Sequence, residues 1–396
     1  MPQSVKRWTI AANAIFLLLL LGLIYAWSNF VAPLEAEFGW KRAETSLAFT
    51  ICMSCFCVGG FASGLLLRKL PPRAVLLMAA CCIAAGFAAA SRIQTLRAFF
   101  ICYGVLVGFG IGLTYNAVIS TGVKWFPEKP GMASGMMLMG FGLGGMALGT
   151  ICAAMIASLG WRTTFLGLGV VYGALLLLSA FVIAPPPKNA SFPAPPGRKA
   201  ARGPELAAAQ MLKRPSFWIL FVWTVMLSSA CLAVINNASP MAMDMGASAS
   251  TAALFTGMIS LFNGGSRVIT GILYDRLSFR AVMSGTALAA MAALACTIAA
   301  LNTGALPLLA LAFALTGVSF GGITPTSSTL ANTFYGAKHY AVNYSVLNLS
   351  LIASSFLGPF LTGSLQSVSG SFMGAAVVML VFGAAGLVLA QTLRKP

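Results

Sequence analysis

The chain has 396 residues, of which 59% are hydrophobic and only 8% are charged, whereas about 25% of the residues of a soluble domain are charged. This composition excludes an ordinary water-soluble domain and indicates a protein that crosses a membrane many times. The formal net charge of +17 does not indicate nucleic-acid binding, because no soluble segment is long enough to form a domain for it.

Apolar runs of about 20 residues, each long enough to cross a bilayer as a helix, follow one another along the chain. Six lie in the first half, near 8–33, 45–67, 73–91, 97–121, 132–158 and 163–184. Six more lie in the second half, near 216–238, 249–274, 281–301, 305–329, 342–366 and 371–392. The sequence therefore predicts an all-α membrane protein with twelve transmembrane helices.

The segment 185–215 interrupts this series and is rich in proline and basic residues, a composition that predicts a linker. It separates a predicted six-helix bundle at 1–184 from a second at 216–396. The two halves are related by an internal repeat, because the similar stretches GLLLRK at 64–69 and GILYDR at 271–276 each lie at the end of the second helix of a half. Two pseudo-symmetric bundles are expected, with a binding site between them near the middle of the membrane.

Lysine and arginine are unevenly distributed between the predicted loops. With the amino terminus inside, 18 of the 24 lie in segments that would face the cytoplasm and five lie in outer loops. This bias predicts a multi-pass protein of the cell membrane, surrounded by lipid, with both termini and the linker in the cytoplasm. The remaining basic residue, Arg267, lies inside a span.

Neither a metal site nor a cofactor is expected. All nine cysteines fall in apolar spans, and the closest group, ICMSCFC in the second span, has no histidine or acidic residue beside it. The single histidine, His339, lies in a predicted cytoplasmic loop, and no acidic residue lies within the spans to pair with it. An enzyme that uses general acid–base chemistry is therefore disfavoured.

Arg267 is the strongest candidate for a binding residue, since a central arginine costs about 2.5 to 3.5 kcal/mol on insertion scales and normally faces a partner or a cavity. Polar residues of the same span are spaced by three or four and share one helical face with it: Thr256, Ser260, Asn263, Thr270 and Tyr274. The guanidinium either binds a substrate carboxylate through two parallel hydrogen bonds or is held by backbone carbonyls and neighbouring side chains. Asn263 is included in the candidate site.

Further candidates lie on other spans. Tyr115 and Asn116 stand together in the fourth span, where a phenol and an amide could bind a second substrate oxygen, although an interhelical hydrogen bond would also explain Asn116. Tyr25 and Asn29 lie one helical turn apart in the first span. Phe320 in the tenth span is expected to form an apolar wall or simply to pack.

Several motifs resemble those of known transporters. GILYDR fits the G-x-x-x-D-R loop signature of the major facilitator superfamily, whereas GLLLRK departs from it, with Arg68 where an acid usually stands. Three longer stretches are similar to the oxalate:formate antiporter and monocarboxylate transporter families: YAWSNFVAPLEAEFGWKRAETSLAFTI (25–51), KWFPEKPGMASGMMLMGFGLGG (124–145) and GGITPTSSTLANTFYGAKHYAVNYS (321–345).

The resemblance implies roles for individual residues. In these families an arginine of the eighth helix anchors the substrate carboxylate, and Arg267 matches it. Gly271, Asp275 and Arg276 match the loop signature, which implies a part in the conformational change. Asn29 takes the place of a lysine found in proton-coupled monocarboxylate transporters.

The eleventh helix bears on the choice of substrate. Leu351 takes the place of a second cation that oxalate:formate antiporters carry there. One fixed positive charge suits one carboxylate better than two. We therefore expect a monomeric secondary carrier of small organic monocarboxylates, such as lactate, pyruvate or formate, that works by alternating access. The alternatives are exchange of oxalate or another dicarboxylate for formate, symport of lactate with protons, and a transporter-like sensor.

Overall fold

Helices make up nearly all of the chain in the computed structural model, which describes residues 3–40, 42–187 and 204–396. Within these ranges no residue forms a β-strand, and the predicted all-α fold class is confirmed. The helices are α1 (Gln3–Leu21), α2 (Ser28–Phe38), α3 (Arg42–Leu66), α4 (Pro72–Ala90), α5 (Leu96–Phe99), α6 (Gly108–Gly122), α7 (Pro130–Ser179), α8 (Ala208–Met211), α9 (Pro215–Asp244), α10 (Ala249–Arg276), α11 (Phe279–Thr303), α12 (Leu306–Tyr335), α13 (Tyr340–Asn348), α14 (Ser350–Ser369) and α15 (Met373–Thr392). A 3-10 helix at Gly22–Ala26 joins α1 to α2, and a π-helix at Phe100–Val107 joins α5 to α6.

The number of spans follows from these bounds. Ten stretches of the described chain are long and apolar enough to cross a membrane. One of them is α7, whose 50 residues are broken at Gly160 by a backbone conformation of φ 77° and ψ 160° that only glycine adopts readily. Helix α10 has 28 residues and is not among the ten, because Asn263 and Arg267 lower its mean hydropathy. With α7 taken as two spans and α10 added, the described helices supply the predicted twelve.

The chain forms two compact units. The first unit comprises the described residues of 1–129, 143–200 and 340–349. The second comprises those of 130–142, 201–339 and 350–396. Each unit therefore contains a short piece from the opposite half of the sequence: the start of α7 belongs to the second unit, and α13 belongs to the first.

Most of the predicted linker, 185–215, lies outside the described residues, at 188–203. The part that follows is tied to the second unit. The backbone N–H of Leu206 donates to the carbonyl oxygen of Tyr335 at 3.0 Å, and the Glu205 carboxylate accepts from the backbone N–H of Lys338 at 2.8 Å. These bonds hold the segment before α8 beside the end of α12.

Aromatic rings fill the interior of the first unit. Trp27 stacks on Tyr103 with centroids 4.7 Å apart, and Tyr103 stacks on Phe99 at 5.3 Å. Phe30 stacks on Phe165 at 4.5 Å. Offset-stacked pairs of this kind contribute about 0.5 to 1.5 kcal/mol each beyond their buried area, so this cluster fastens α2, α5 and α7 to one another.

An ion pair fixes one end of α2 in the same unit. Both Arg162 and the indole N–H of Trp161 donate to the Glu37 carboxylate, at 2.7 and 2.6 Å. Partial burial raises the pKa of Glu37, but the hydrogen bonds from Arg162 and Trp161 and the charge of Arg162 outweigh it and lower that pKa below its ordinary value. Because the pair is well exposed to solvent, its contribution to stability is small.

Glycines bring helices into close contact in both units. In the second unit, Gly317 and Gly321 of α12 pack against α10, where a Cβ on Gly317 would lie 3.0 Å from Cβ of Phe262. In the first unit, a Cβ on Gly112 of α6 would overlap the carbonyl oxygen of Phe56 on α3. Small residues are what allow backbones in a membrane to approach this closely.

We expect Gly112→Ala to destabilise the first unit by about 1 to 3 kcal/mol, since the added methyl must push α3 away from α6. The matched control is Gly374→Ala on α15, where an added Cβ meets no atom within 4 Å and alanine should be neutral or slightly stabilising. Thermal unfolding of the purified proteins in detergent measures the difference. Equal unfolding temperatures for the two variants would contradict the tight α3–α6 packing.

Candidate substrate-binding site

Arg267 lies in the middle of α10 and is almost completely buried, with 1% of its surface exposed. Its Nε donates to Oδ1 of Asn263, one helical turn earlier, at 3.1 Å. Asn263 and Thr270, which share the predicted polar face, are also buried. This face of α10 is therefore turned into the second unit, and Asn263 fixes the plane of the guanidinium.

The start of α7 forms the wall opposite this face. The guanidinium carbon of Arg267 lies 5.8 Å from the centroid of the Phe141 ring, within the range of a cation–π interaction. A Cβ on Gly142 would lie 3.0 Å from Nε of Arg267, and one on Gly135 would overlap its carbonyl oxygen. Glycine at both positions is what lets α7 pass this close to the arginine.

One side of the guanidinium is left without a protein acceptor. Within the part of the chain that the structure describes, Nη1 of Arg267 is buried and has no hydrogen-bond partner. Two ion pairs, Arg7 with Glu128 and Arg162 with Glu37, lie in the first unit, and neither involves Arg267. A buried, charged donor without an acceptor is energetically costly, so this atom is the feature of the site most in need of a ligand.

The other candidates of the second unit lie on α12 and α14. Phe320 is buried on α12, next to Gly321, which packs against Asn263 and Ser266 of α10. Leu351 is the second residue of α14 and is half-buried. Phe320 is thus on a helix that touches the Arg267 helix, whereas among the described residues no hydrogen bond or ring contact joins Leu351 to that helix.

In the first unit, Tyr25 and Asn29 both face the part of α7 that belongs to that unit. The Asn29 amide donates to the carbonyl oxygen of Gly149 at 2.9 Å. A Cβ on Gly145 would lie 3.0 Å from Cβ of Tyr25. Both residues thus contact α7, although Tyr25 belongs to the 3-10 helix Gly22–Ala26 and Asn29 to α2.

Tyr115 and Asn116 both reach α13 in the first unit. The Tyr115 hydroxyl lies 3.1 Å from the Tyr344 hydroxyl. The Asn116 amide donates to the carbonyl oxygens of Gly60 at 2.8 Å and Ala341 at 3.0 Å, which is the interhelical bonding that the alternative interpretation of Asn116 requires. Its Oδ1 is buried and has no hydrogen-bond partner among the described residues.

The eight predicted binding residues are therefore divided between the units. Those in the second unit are Arg267, Asn263, Phe320 and Leu351, and those in the first are Tyr25, Asn29, Tyr115 and Asn116. The structure brings Arg267 and Asn263 into direct contact. The contact partners Phe141 and Tyr344 were missed, because nothing in the local sequence around either one indicates which helix it faces.

The residues of the loop signature lie where α10 meets the start of α7. The two oxygens of the Asp275 carboxylate accept from the backbone N–H groups of Gly131 at 3.1 Å and Met132 at 2.8 Å. An acidic side chain at a helix N-terminus is stabilised by these amides and by the helix dipole. Gly271 packs directly against Gly131, and Arg276 is exposed.

Comparison with known proteins defines the class. The sequence profile of the Major Facilitator Superfamily matches residues 14–359, and the chain belongs to this superfamily. It is 28% identical over 360 residues to the oxalate:formate antiporter of Oxalobacter formigenes, covering 89% of this chain and 84% of that protein. It is 27% identical over 172 residues to monocarboxylate transporter 1 of Rattus norvegicus, covering 42% of this chain and 34% of that protein.

Solved structures show the same fold. The proton:xylose symporter XylE matches with a TM-score of 0.72 at 15% sequence identity, covering 99% of this chain and 97% of that chain. At this identity the likeness concerns the fold alone. Because the chain belongs to the Major Facilitator Superfamily, the protein is a multi-pass membrane transporter and not an enzyme, as predicted.

Proposed function

We propose that the protein is a secondary carrier of small organic monocarboxylates and that Arg267 binds the carboxylate. The observation that supports this proposal most strongly is the buried Nη1 of Arg267, which has no acceptor among the described residues. A carboxylate supplies two acceptor oxygens in the plane of the guanidinium fork. Its negative charge also neutralises a cation that is expensive to keep at this depth.

The surroundings of Arg267 favour such a fork. Asn263 occupies Nε, so the terminal nitrogens are the ones that face a ligand. The Phe141 ring centroid lies 5.8 Å from the guanidinium carbon, within the range of a cation–π interaction. A guanidinium held in this way has little rotamer freedom left to lose on binding, which strengthens binding of a planar carboxylate.

The number of carboxylates on the substrate follows from the number of positive charges inside the spans. Arg267 is the only arginine or lysine inside the predicted core of a span, and a second carboxylate would be desolvated without a cation to pair with it. Lactate, pyruvate and formate each carry one carboxylate. We propose that such an acid is bound and carried by alternating access, with both chain termini in the cytoplasm as the charge distribution predicts.

Exchange of oxalate for formate is the second candidate, and it is favoured by the similarity to the oxalate:formate antiporter over 89% of the chain. The two candidates differ in whether the site accepts a dianion. Leu351 is the position that bears on this difference, since the resemblance places a second cation there in the antiporters.

Leu351→Lys is expected to raise oxalate transport relative to lactate transport by about tenfold, because an added ammonium gives the second carboxylate a partner worth about 1.4 kcal/mol or more. Competition between labelled oxalate and lactate in proteoliposomes measures the ratio. Leu351→Met, which keeps the size and lacks the charge, is the control. An unchanged ratio in the lysine variant would mean that the shape of the site, and not its charge, selects the substrate.

Uptake into proteoliposomes is the experiment that tests the proposed function itself. Each labelled acid (lactate, pyruvate, formate or oxalate) should be supplied to vesicles preloaded with the same unlabelled acid, so that an exchanger also takes it up. Ligand-dependent thermal stabilisation is measured on the same preparation. A carrier stabilised by a monocarboxylate should also accumulate it. Stabilisation without uptake would instead identify a sensor, and neither stabilisation nor uptake would contradict the proposed substrate class.

A further inference from the structure

A groove of about 570 Å³ lies in the second unit between α10, α11 and α12. Its lining runs along α10 from Leu261 to Leu273, continues at Leu277 just after the helix, and includes Gly285 of α11 and Val318 of α12. Its open side lies on the face of α10 away from Arg267, along Leu261, Gly265 and Ile269, and Thr270 of the polar face reaches only its inner wall. Leu261 and Ile269 are 50% and 60% exposed, so the groove opens outward to the lipid and is separate from the candidate substrate site.

The walls of the groove are apolar, and two glycines keep it open. A Cβ placed on Gly265 or on Gly285 would meet no atom within 4 Å, although glycine costs about 1 kcal/mol relative to alanine inside a helix. Two of the three hydroxyl groups in the lining are already bonded to backbone: Ser266 donates to the carbonyl oxygen of Asn263 and Thr286 to that of Val282. The interior therefore suits a hydrocarbon chain.

The length of the groove matches its position in the membrane. The stretch from Leu261 to Leu277 extends about 24 Å at 1.5 Å per residue, most of the roughly 30 Å thickness of the hydrocarbon core. It ends where α10 ends, at the side that the charge distribution predicts to be cytoplasmic. An acyl chain of the nearer leaflet can lie along it with its headgroup at that end.

A positive charge marks this end of the groove. Arg276 is the last residue of α10 and is exposed. It lies two turns beyond Ile269 and three turns beyond Gly265, and so continues the helical face that lines the groove. The cytoplasmic leaflet is the one rich in anionic lipid, and basic residues near its surface attract those headgroups.

We propose that this groove binds one acyl chain of an anionic glycerophospholipid and that Arg276 binds its phosphate. A second copy of the chain fits less well. A two-fold axis along the membrane normal would place the Arg276 side chains of both copies at the same depth, where like charges repel. Charge complementarity thus favours a lipid as the occupant.

Native mass spectrometry of the full-length protein in detergent, with added phosphatidylglycerol or phosphatidylcholine, tests the proposal. Gly285→Leu should weaken phosphatidylglycerol binding about tenfold, because its side chain displaces about two CH₂ groups of the lipid. Gly265→Leu, on the α10 side of the groove, should weaken phosphatidylglycerol binding by a similar factor. The matched control is Gly374→Leu, another open helical glycine but outside the groove, which should bind as wild type does. Arg276→Gln should cut the preference for phosphatidylglycerol over phosphatidylcholine about fivefold.

Other outcomes would overturn the proposal. Wild-type affinity in both groove-filling leucine variants would show that the lipid lies elsewhere, and circular dichroism of each variant verifies that it is folded. An unchanged lipid preference in Arg276→Gln would show that Arg276 does not bind an anionic headgroup. A dimer that either leucine variant converts to monomer would assign the groove to a second copy of the chain. None of these readouts depends on the transported substrate.

Discussion

Arg267→Lys is expected to weaken monocarboxylate binding by about 30-fold or more, even though the charge is kept, since disrupting a buried, hydrogen-bonded charge pair costs about 2 kcal/mol or more. An ammonium cannot offer two parallel donors in one plane. Lysine also cannot keep the bond from Nε to Oδ1 of Asn263. The dissociation constants of lactate, pyruvate and formate, obtained from ligand-dependent thermal shifts, measure the loss.

The control for this substitution is Arg92→Lys, because Arg92 is exposed in the loop between α4 and α5. It should bind the acids with wild-type affinity. Unfolding temperatures without ligand separate a binding defect from a folding defect. If Arg267→Lys binds as tightly as wild type, the arginine has a structural role, and the proposal that it anchors the carboxylate is wrong.

The fold could be predicted because its main determinant is local. Apolar runs of span length are visible without any knowledge of their neighbours, and the polar stripe through Asn263 and Arg267 marks a helix that must face inward. The break of α7 at Gly160 matches the predicted gap between the fifth and sixth spans. Each of these features depends on residues within one or two turns of one another.

The partners of the site could not be predicted, because they come from distant parts of the chain. Phe141 reaches Arg267 only because the start of α7 belongs to the second unit. Tyr344 reaches Tyr115 only because α13 belongs to the first. No periodicity in the sequence indicates that the start of α7 and α13 pack in the opposite unit, since the composition of both segments is that of an ordinary transmembrane helix.

The second large effect is expected in how transport is driven, by exchange of substrates or by protons. This depends on where the acidic residues lie. The chain has seven: Glu35, Glu37, Glu44, Glu128, Glu205, Asp244 and Asp275. Glu37 and Glu128 are paired with arginines, and Asp275 accepts from the first backbone amides of α7. Glu44 lies in the first turn of α3, and Asp244 is the last residue of α9. No acidic residue is left in the middle of a described span to carry a proton.

Arg267 cannot take that role, because an arginine stays protonated at any working pH, with a pKa above about 12. An empty carrier would have to move a bare guanidinium through its occluded state at a cost of several kcal/mol, whereas a loaded carrier moves a neutralised pair. We therefore expect exchange of internal for external monocarboxylate to be much faster than net flux. The pH dependence should be weak and should follow the ionisation of the substrate.

Counterflow in proteoliposomes distinguishes this expectation from proton symport, in which a proton enters with the substrate or through Glu35 or Glu37. Vesicles preloaded with unlabelled lactate should take up labelled lactate at least tenfold faster than empty vesicles. A barrier that is higher by about 1.4 kcal/mol for the empty carrier already gives a tenfold difference in rate, and moving the unpaired cation costs more than that. An inward proton gradient across empty vesicles should then drive little accumulation. Strong accumulation under that gradient, with no acceleration by preloading, would establish symport and would require a proton site outside the spans. The side chain of Glu37, which Arg162 and Trp161 hold at the end of α2, would be the first one to replace by glutamine.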